Sequence, residues 1–115
     1  MSRLLLVDDE TTLLQLLKRY LERHGYEVEI ADSAESALSA FERDHQRFDI
    51  VITDLTLPGV NGAELLERMR AKNPKLPGII SSGYPYEPQL KGVSFLQKPF
   101  LPQMLADEIA KALKR

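Results

Sequence analysis

The chain of 115 residues contains no cysteine and no tryptophan, and only two histidines. Without cysteine there is no disulfide framework and no thiolate metal site, which fits an expected cytoplasmic location. No apolar run approaches the roughly 20 residues needed to cross a bilayer, and the N-terminus does not read as a signal peptide, so membrane insertion is not expected. Charge of one sign is scarce as well. A formal net charge of -2 gives no broad basic field, and direct nucleic-acid binding is not expected. His24 and His45 fall where helices should end and have no partner at metal-ligand spacing, so a favourable dipole interaction is their reading. Gly-rich phosphate loops, zinc patterns and serine-triad signatures are all missing. What is present, 43% hydrophobic and 28% charged residues, suits one globular domain over 1–115 with a single core.

Four short apolar runs each end on residues able to handle phosphate. Leu4 to Val7 leads to Asp8 and Asp9, and Phe48 to Thr53 leads to Asp54. Leu76 to Ser81 leads to Ser82, and Val93 to Gln97 leads to Lys98 and Pro99. A fifth run, Val28 to Ala31, completes the strands. Between them lie amphipathic helical patterns. One opens at Asp9 or Glu10, carries Leu13, Leu14, Leu17 and Leu21 on one stripe and stops at Gly25. Ser33 caps the next, with Ser36 at the capping-box position, and Asn61 caps a third that ends at Asn73-Pro74. The last begins near Pro102. Strand–helix alternation of this kind specifies a parallel sheet covered on both faces. One connection breaks the pattern: between Ser82 and Ser94, Pro85 and Pro88 lie too close together for a full helix, and an extended loop or single turn is expected. The domain should therefore hold four full helices.

If the runs are parallel strands, three carboxylates, a hydroxyl and an ammonium converge on the edge where open α/β sheets bind ligands. Asp8 and Asp9 repel one another unless a cation is near, and carboxylates with waters and backbone carbonyls are what Mg²⁺ prefers. The plainer reading of the pair is a helix cap. Asp54 follows the most hydrophobic strand, and a carboxylate there beside Mg²⁺ can attack phosphorus to form an acyl phosphate. Its plainer reading is a turn-initiating Asp. Lys98 can pair with Asp54 or a phosphoryl oxygen, the alternative being a snorkelling surface lysine, and its bond to Pro99 is a candidate cis peptide. Ser82 can donate a hydroxyl to a phosphoryl group, whereas Ser81, on the opposite pleat, cannot easily do so at the same time.

LLLVDDE, VITDLTLPGVNG, SSGY and FLQKPF, in that order, resemble the receiver domain of bacterial two-component response regulators over essentially the whole chain. The resemblance implies a flavodoxin-like, doubly wound sheet of five parallel strands in the order 2-1-3-4-5. It implies that Asp54 is the phospho-acceptor, that Asp9 holds Mg²⁺ directly and Asp8 through water, and that the Thr56 backbone carbonyl completes the protein's ligands. Lys98 corresponds to the lysine that pairs with the phosphoryl group, Ser82 to the hydroxyl that moves onto it, and Phe95 to the aromatic switch residue. Thr56 and Tyr84 occupy positions that tune phosphoryl lifetime, and a bulky Tyr84 favours a long one. The implied partners are a sensor histidine kinase or histidine phosphotransfer protein upstream and an unidentified protein or fused output domain downstream.

The departure from the family is the shortened or missing helix between Gly83 and Val93. It leaves the phosphorylation site intact but is expected to alter or remove a dimer built on that helix, the fifth strand and the last helix. Two other functions compete. An aspartyl-phosphate phosphatase usually has an acid two residues after the nucleophile, where this chain has Thr56. A phosphorylation-independent, receiver-like interaction module usually lacks one of the acidic or lysine positions, and here all are present.

Overall fold

The computed structural model describes residues 2–114. Its elements run β1 (Arg3–Val7), α1 (Thr11–Arg23), β2 (Glu27–Ala31), α2 (Ala34–Arg43), β3 (Ile50–Asp54), α3 (Gly62–Lys72), β4 (Gly78–Ser82), β5 (Val93–Gln97) and α4 (Pro102–Leu113). All four strand pairings are parallel, in the order β2-β1-β3-β4-β5. The chain leaves β1 toward β2 and returns on the other side as β3, so the switch point of the sheet lies between β1 and β3.

Alternation along each strand divides the core in two. Leu5, Val7, Val51 and Ile80 pack with Phe41, Leu65, Leu66 and Met69 of α2 and α3. Leu4, Leu6, Ile50, Ile52 and Ile79 point the other way, onto Leu14, Leu17 and Leu21 of α1 and Leu105 and Ile109 of α4. Strands buried on both faces need apolar side chains at every position, which is why these runs are continuous.

The helix ends follow their local chemistry. The Ser33 hydroxyl accepts from the Ser36 N–H at 3.1 Å, and the Ser36 hydroxyl accepts from the Ser33 N–H at 3.3 Å, a capping box made with serine. Asn61 Oδ1 accepts from the Glu64 N–H at 2.9 Å. Gly25 follows α1 at a φ of +90°, a value L side chains rarely adopt.

Two strands start later than their apolar runs. Leu76 is still in the turn after α3, its N–H bonded to the Asn73 carbonyl, and Pro77 has no N–H to offer a ladder, so β4 begins at Gly78. Phe48 and Asp49 precede β3: the Asp49 N–H donates to the Arg3 carbonyl at 2.8 Å, while the Arg3 N–H goes to the Asp49 carboxylate at 2.7 Å instead of to a backbone carbonyl of that strand. Between β4 and β5 there is no helix among residues 83–92. The loop instead places Tyr86 and Leu90 against the α2/α3 side of the core. Four helices result, with α4 whole, as the spacing of the prolines predicts.

Candidate functional site

Strand register decides which side chains meet. Val7 is level with Thr53, Asp54 with Ser81, and Ser82 with Gln97. The residues at or just past these positions, Asp8, Asp9, Asp54, Ser82 and Lys98, therefore gather at the carboxyl edge of four adjacent strands. Asp8, Asp9 and Asp54 each present a carboxylate oxygen within 4.8 Å of the others. Asp8 and Asp54 are buried, while Asp9 is exposed.

The two aspartates after β1 have different tasks. Asp8 Oδ1 accepts the Glu10 N–H at 2.9 Å, and Asp8 Oδ2 accepts from Lys98 Nζ at 2.8 Å. Both of its oxygens are engaged, and neither bond is a helix cap. The N-cap of α1 is Glu10, which makes no side-chain capping bond, so the cap reading of Asp8-Asp9 does not hold. Asp9 is left with its carboxylate facing solvent beside Asp54.

Lys98 stands at the centre of the charges. Besides Asp8, its ammonium is 3.5 Å from Asp54 Oδ2 and 3.5 Å from Glu10 Oε1, and it is largely buried rather than snorkelling. Burial disfavours the ammonium, yet the hydrogen bond to Asp8 and the charges of Asp8, Asp54 and Glu10 outweigh it and hold the Lys98 pKa above its ordinary 10.5. For Asp54, burial is the largest influence and raises the carboxyl above its ordinary 3.8, and the Asp8 charge adds to this. Lys98 and the Thr56 backbone N–H pull it back without cancelling the rise. A buried carboxylate next to another carboxylate is a site short of positive charge, and the oxygens of Asp8, Asp9 and Asp54 are of the kind that suits a hard divalent cation.

The far side of the edge is polar and small. Ser82 is buried, and its hydroxyl oxygen accepts the Tyr84 N–H at 3.0 Å, while its carbonyl accepts the Lys98 N–H at 2.8 Å. The Lys98-Pro99 peptide is cis. Phe95 is half-buried, with its ring 6.3 Å from that of Tyr86. Tyr84 is 78% exposed. His24 and His45 lie far from this edge in function: His24 caps α1 and bonds through Nδ1 to the Tyr20 carbonyl, and His45 stacks on Phe41.

Two contributors escape a reading of the sequence. Gly62 opens α3 so close to the end of β3 that a Cβ there would sit 2.2 Å from the Asp54 carbonyl oxygen. A glycine directly after the N-cap Asn61, where a better helix former is usual, is the only signal it leaves. Glu10 joins the Lys98 cluster through an exposed side chain, and nothing in the order DDE singles it out.

Residues 4–110 match the family described as response regulator receiver domain. Among curated proteins, the chain is 34% identical over 116 residues to the response regulator protein FleR of Pseudomonas aeruginosa, covering 96% of this chain and 24% of FleR. The chain thus spans about a quarter of the length of that relative. Among solved structures, it is similar to the receiver domain of the hybrid histidine kinase CckA, at 34% identity and a TM-score of 0.88, covering 97% and 99% of the two chains. It is also similar to the response regulator TrrA of Thermotoga maritima in complex with Mg²⁺-BeF, at 32% identity and a TM-score of 0.87, covering 98% and 100%. With the acidic edge of β1 and β3 and this whole-chain likeness, the chain belongs to the response regulator receiver domains, signalling modules of two-component systems rather than enzymes.

Proposed function

We propose that this domain is a cytoplasmic switch controlled by phosphorylation of Asp54, with the phosphoryl group drawn from a phosphohistidine of a sensor histidine kinase or phosphotransfer protein. The observation that carries the reading is the division of labour at the edge. Asp8 accepts bonds from Glu10 and Lys98 on its two oxygens, while Asp9 faces solvent without a side-chain hydrogen bond among the described residues, and all three carboxylates of Asp8, Asp9 and Asp54 bring an oxygen within 4.8 Å of the others. Asp9, Asp54 and the Thr56 carbonyl are the residues to hold Mg²⁺, with Asp8 acting through water. When bound, the cation supplies charge neutralisation and orientation for in-line displacement.

The chain's own residues do the rest. Asp54 Oδ attacks phosphorus as the P–N bond breaks, the imidazole nitrogen leaves with the bonding pair, and an acyl phosphate forms. Lys98, raised in pKa and therefore charged throughout the physiological range, pairs with the new phosphoryl oxygens. The Ser82 hydroxyl gives up its bond from Tyr84 and donates to the same group. Its withdrawal opens space for Phe95 to pack inward and shifts the β4–β5 surface toward a downstream protein or a fused output domain. Phe95 has no hydroxyl, so its preference rests on packing, including its contact with Tyr86. Thr56 and Tyr84 set how long the acyl phosphate survives, and a Tyr84 ring folded over the site keeps water from phosphorus. Tyr84→Ala should shorten the half-life severalfold in a phosphate-release assay, and an unchanged half-life removes Tyr84 from this role.

Intact-mass measurement after incubation with acetyl phosphate and Mg²⁺ tests the reading. One added phosphoryl group is expected in the wild type, none in Asp54→Asn and none with chelator. Folded wild type that gains no mass from acetyl phosphate or from a phosphorylated phosphotransfer protein points instead to a phosphorylation-independent interaction module.

A further inference from the structure

The opposite edge of the sheet carries a second charged feature. A groove of about 600 Å³ lies where β1, β3, β4 and β5 begin, between the C-terminal ends of α3 and α4. Its size is that of a small-molecule site. Arg70, Lys75 and Lys91 line it, against one acid, Asp49. Among the described residues, none of these three cations has an ion-pair partner. Asp49 already accepts the Arg3 N–H. Lys75 and Lys91 are exposed, and with Arg70 they give the groove a local excess of two positive charges in a chain of net charge -2.

Arg70 is the most telling of the three. Its guanidinium carries five N–H donors, yet its one hydrogen bond is from Nη2 to the Pro74 carbonyl at 3.2 Å. Nη1 is shielded from solvent and has no partner among the described residues. A charged donor left without an acceptor is unfavourable, and a side chain held that way gains by turning toward an anion. The guanidinium lies beside Gly92, where a Cβ would meet its terminal nitrogens at an ordinary contact distance of 3.7 and 3.8 Å and where a φ of +83° favours glycine. Ala112, Leu113 and Pro77 give the groove an apolar wall.

We propose that this groove binds a small phosphate monoester with an apolar portion, of the size and chemistry of a nucleoside monophosphate. The two positive charges in excess match a phosphomonoester dianion, which a single carboxylate does not, and an arginine fork with two lysines suits phosphate oxygens. The base or other apolar portion rests on the wall formed by Pro77 and the end of α4. The site lies at the other end of the strands from Asp54, so binding does not depend on the phosphoryl-acceptor chemistry.

The test is titration of ¹⁵N-labelled Asp54→Asn protein without Mg²⁺, which silences the acceptor edge, with AMP, inorganic phosphate and adenosine. Saturable shifts of the Gly92 amide and the Arg70 Nε–H signals are expected with AMP, weaker ones at the same signals with phosphate, and none with adenosine. Arg70→Met keeps the stem and removes the donors, and Lys75→Gln/Lys91→Gln alters only exposed rim residues. Each should weaken AMP binding about tenfold or more. Arg70→Met should melt within a few degrees of its parent when no ligand is present, because the long bond from Nη2 to the Pro74 carbonyl that it loses is offset by removal of the unsatisfied Nη1. The proposal is overturned by no saturable shift up to about 10 mM AMP. It is equally overturned if adenosine or inorganic phosphate binds as tightly as AMP, or if affinity survives in both variants.

Discussion

At Gly62 the acceptor site depends on a side chain that is not there. The N–H of Gly62 bonds to the Leu55 carbonyl at 2.8 Å, and the Thr53 hydroxyl bonds to the Asp54 carbonyl at 2.9 Å, so the backbone on both sides of Asp54 is pinned under the start of α3. A methyl group 2.2 Å from the Asp54 carbonyl oxygen has to push α3 off β3. Gly62→Ala should lower stability by about 2–3 kcal/mol and slow labelling by acetyl phosphate. Thermal melts within about 0.5 kcal/mol of wild type would show that the close approach relaxes freely. Asp54 itself works against the fold. Its folded pKa lies above 3.8, so the native state holds the proton more tightly than the unfolded chain does. The favourable contribution is present below 3.8 and lost as pH climbs through the raised value. Asp54→Asn, neutral and similar in shape, keeps no such loss. In chelator at pH 7 it should melt higher than wild type, and the gap should close as pH falls below 3.8. A variant less stable than wild type at pH 7 would mean that the Lys98 pairing outweighs burial at this carboxyl.

The secondary elements were legible wherever one local rule decided them. Short continuous apolar runs bounded by turn residues fit strands buried on both faces, and Pro85 with Pro88 leaves no room for a full helix whatever packs against it. Where the expected limits slipped, single hydrogen bonds decide: the Arg3 N–H goes to the Asp49 side chain instead of a backbone carbonyl, and the Leu76 N–H goes back to Asn73 in the turn after α3. The same holds at the site. Three aspartates and a lysine at strand ends are visible in the order of the chain, but that Lys98 rests on Asp8 first, with Asp54 farther off, depends on how β5 and the α1 entrance are stacked. The loop of residues 83–92 has its own consequence. The family resemblance implies a helix at this place that takes part in dimerisation, and here Tyr86 and Leu90 of the loop pack against the core instead. The isolated domain should therefore stay monomeric by light scattering with or without beryllofluoride and Mg²⁺. A dimer induced by beryllofluoride and broken by substitutions on the exposed face of α4, such as Met104→Glu, would show that the loop still supports the familiar interface.

Across the whole molecule, the charge that makes the acceptor edge reactive also makes it a weak point of the native state. Asp8 and Asp54 are buried together, and Lys98 alone answers them from within the fold, with Asp9 adding a third negative charge from the surface. A divalent cation is the natural completion of that balance, and because the unfolded chain cannot gather the three carboxylates, its binding must appear as stability. At a Mg²⁺ concentration ten times the dissociation constant the gain is about 1.4 kcal/mol, or roughly 5 °C. The Asp9→Asn and Asp54→Asn domains should each lose most of this gain, since both remove a carboxylate that is free to ligate. The dependence on pH then follows in sign. Protons compete for Asp54 more effectively than for an ordinary aspartate because its pKa is raised, so the Mg²⁺-induced rise in melting temperature should shrink as pH is lowered toward that raised value and be largest at neutral pH. A rise that is independent of pH, or that survives in Asp9→Asn and Asp54→Asn alike, would place the cation somewhere other than this edge.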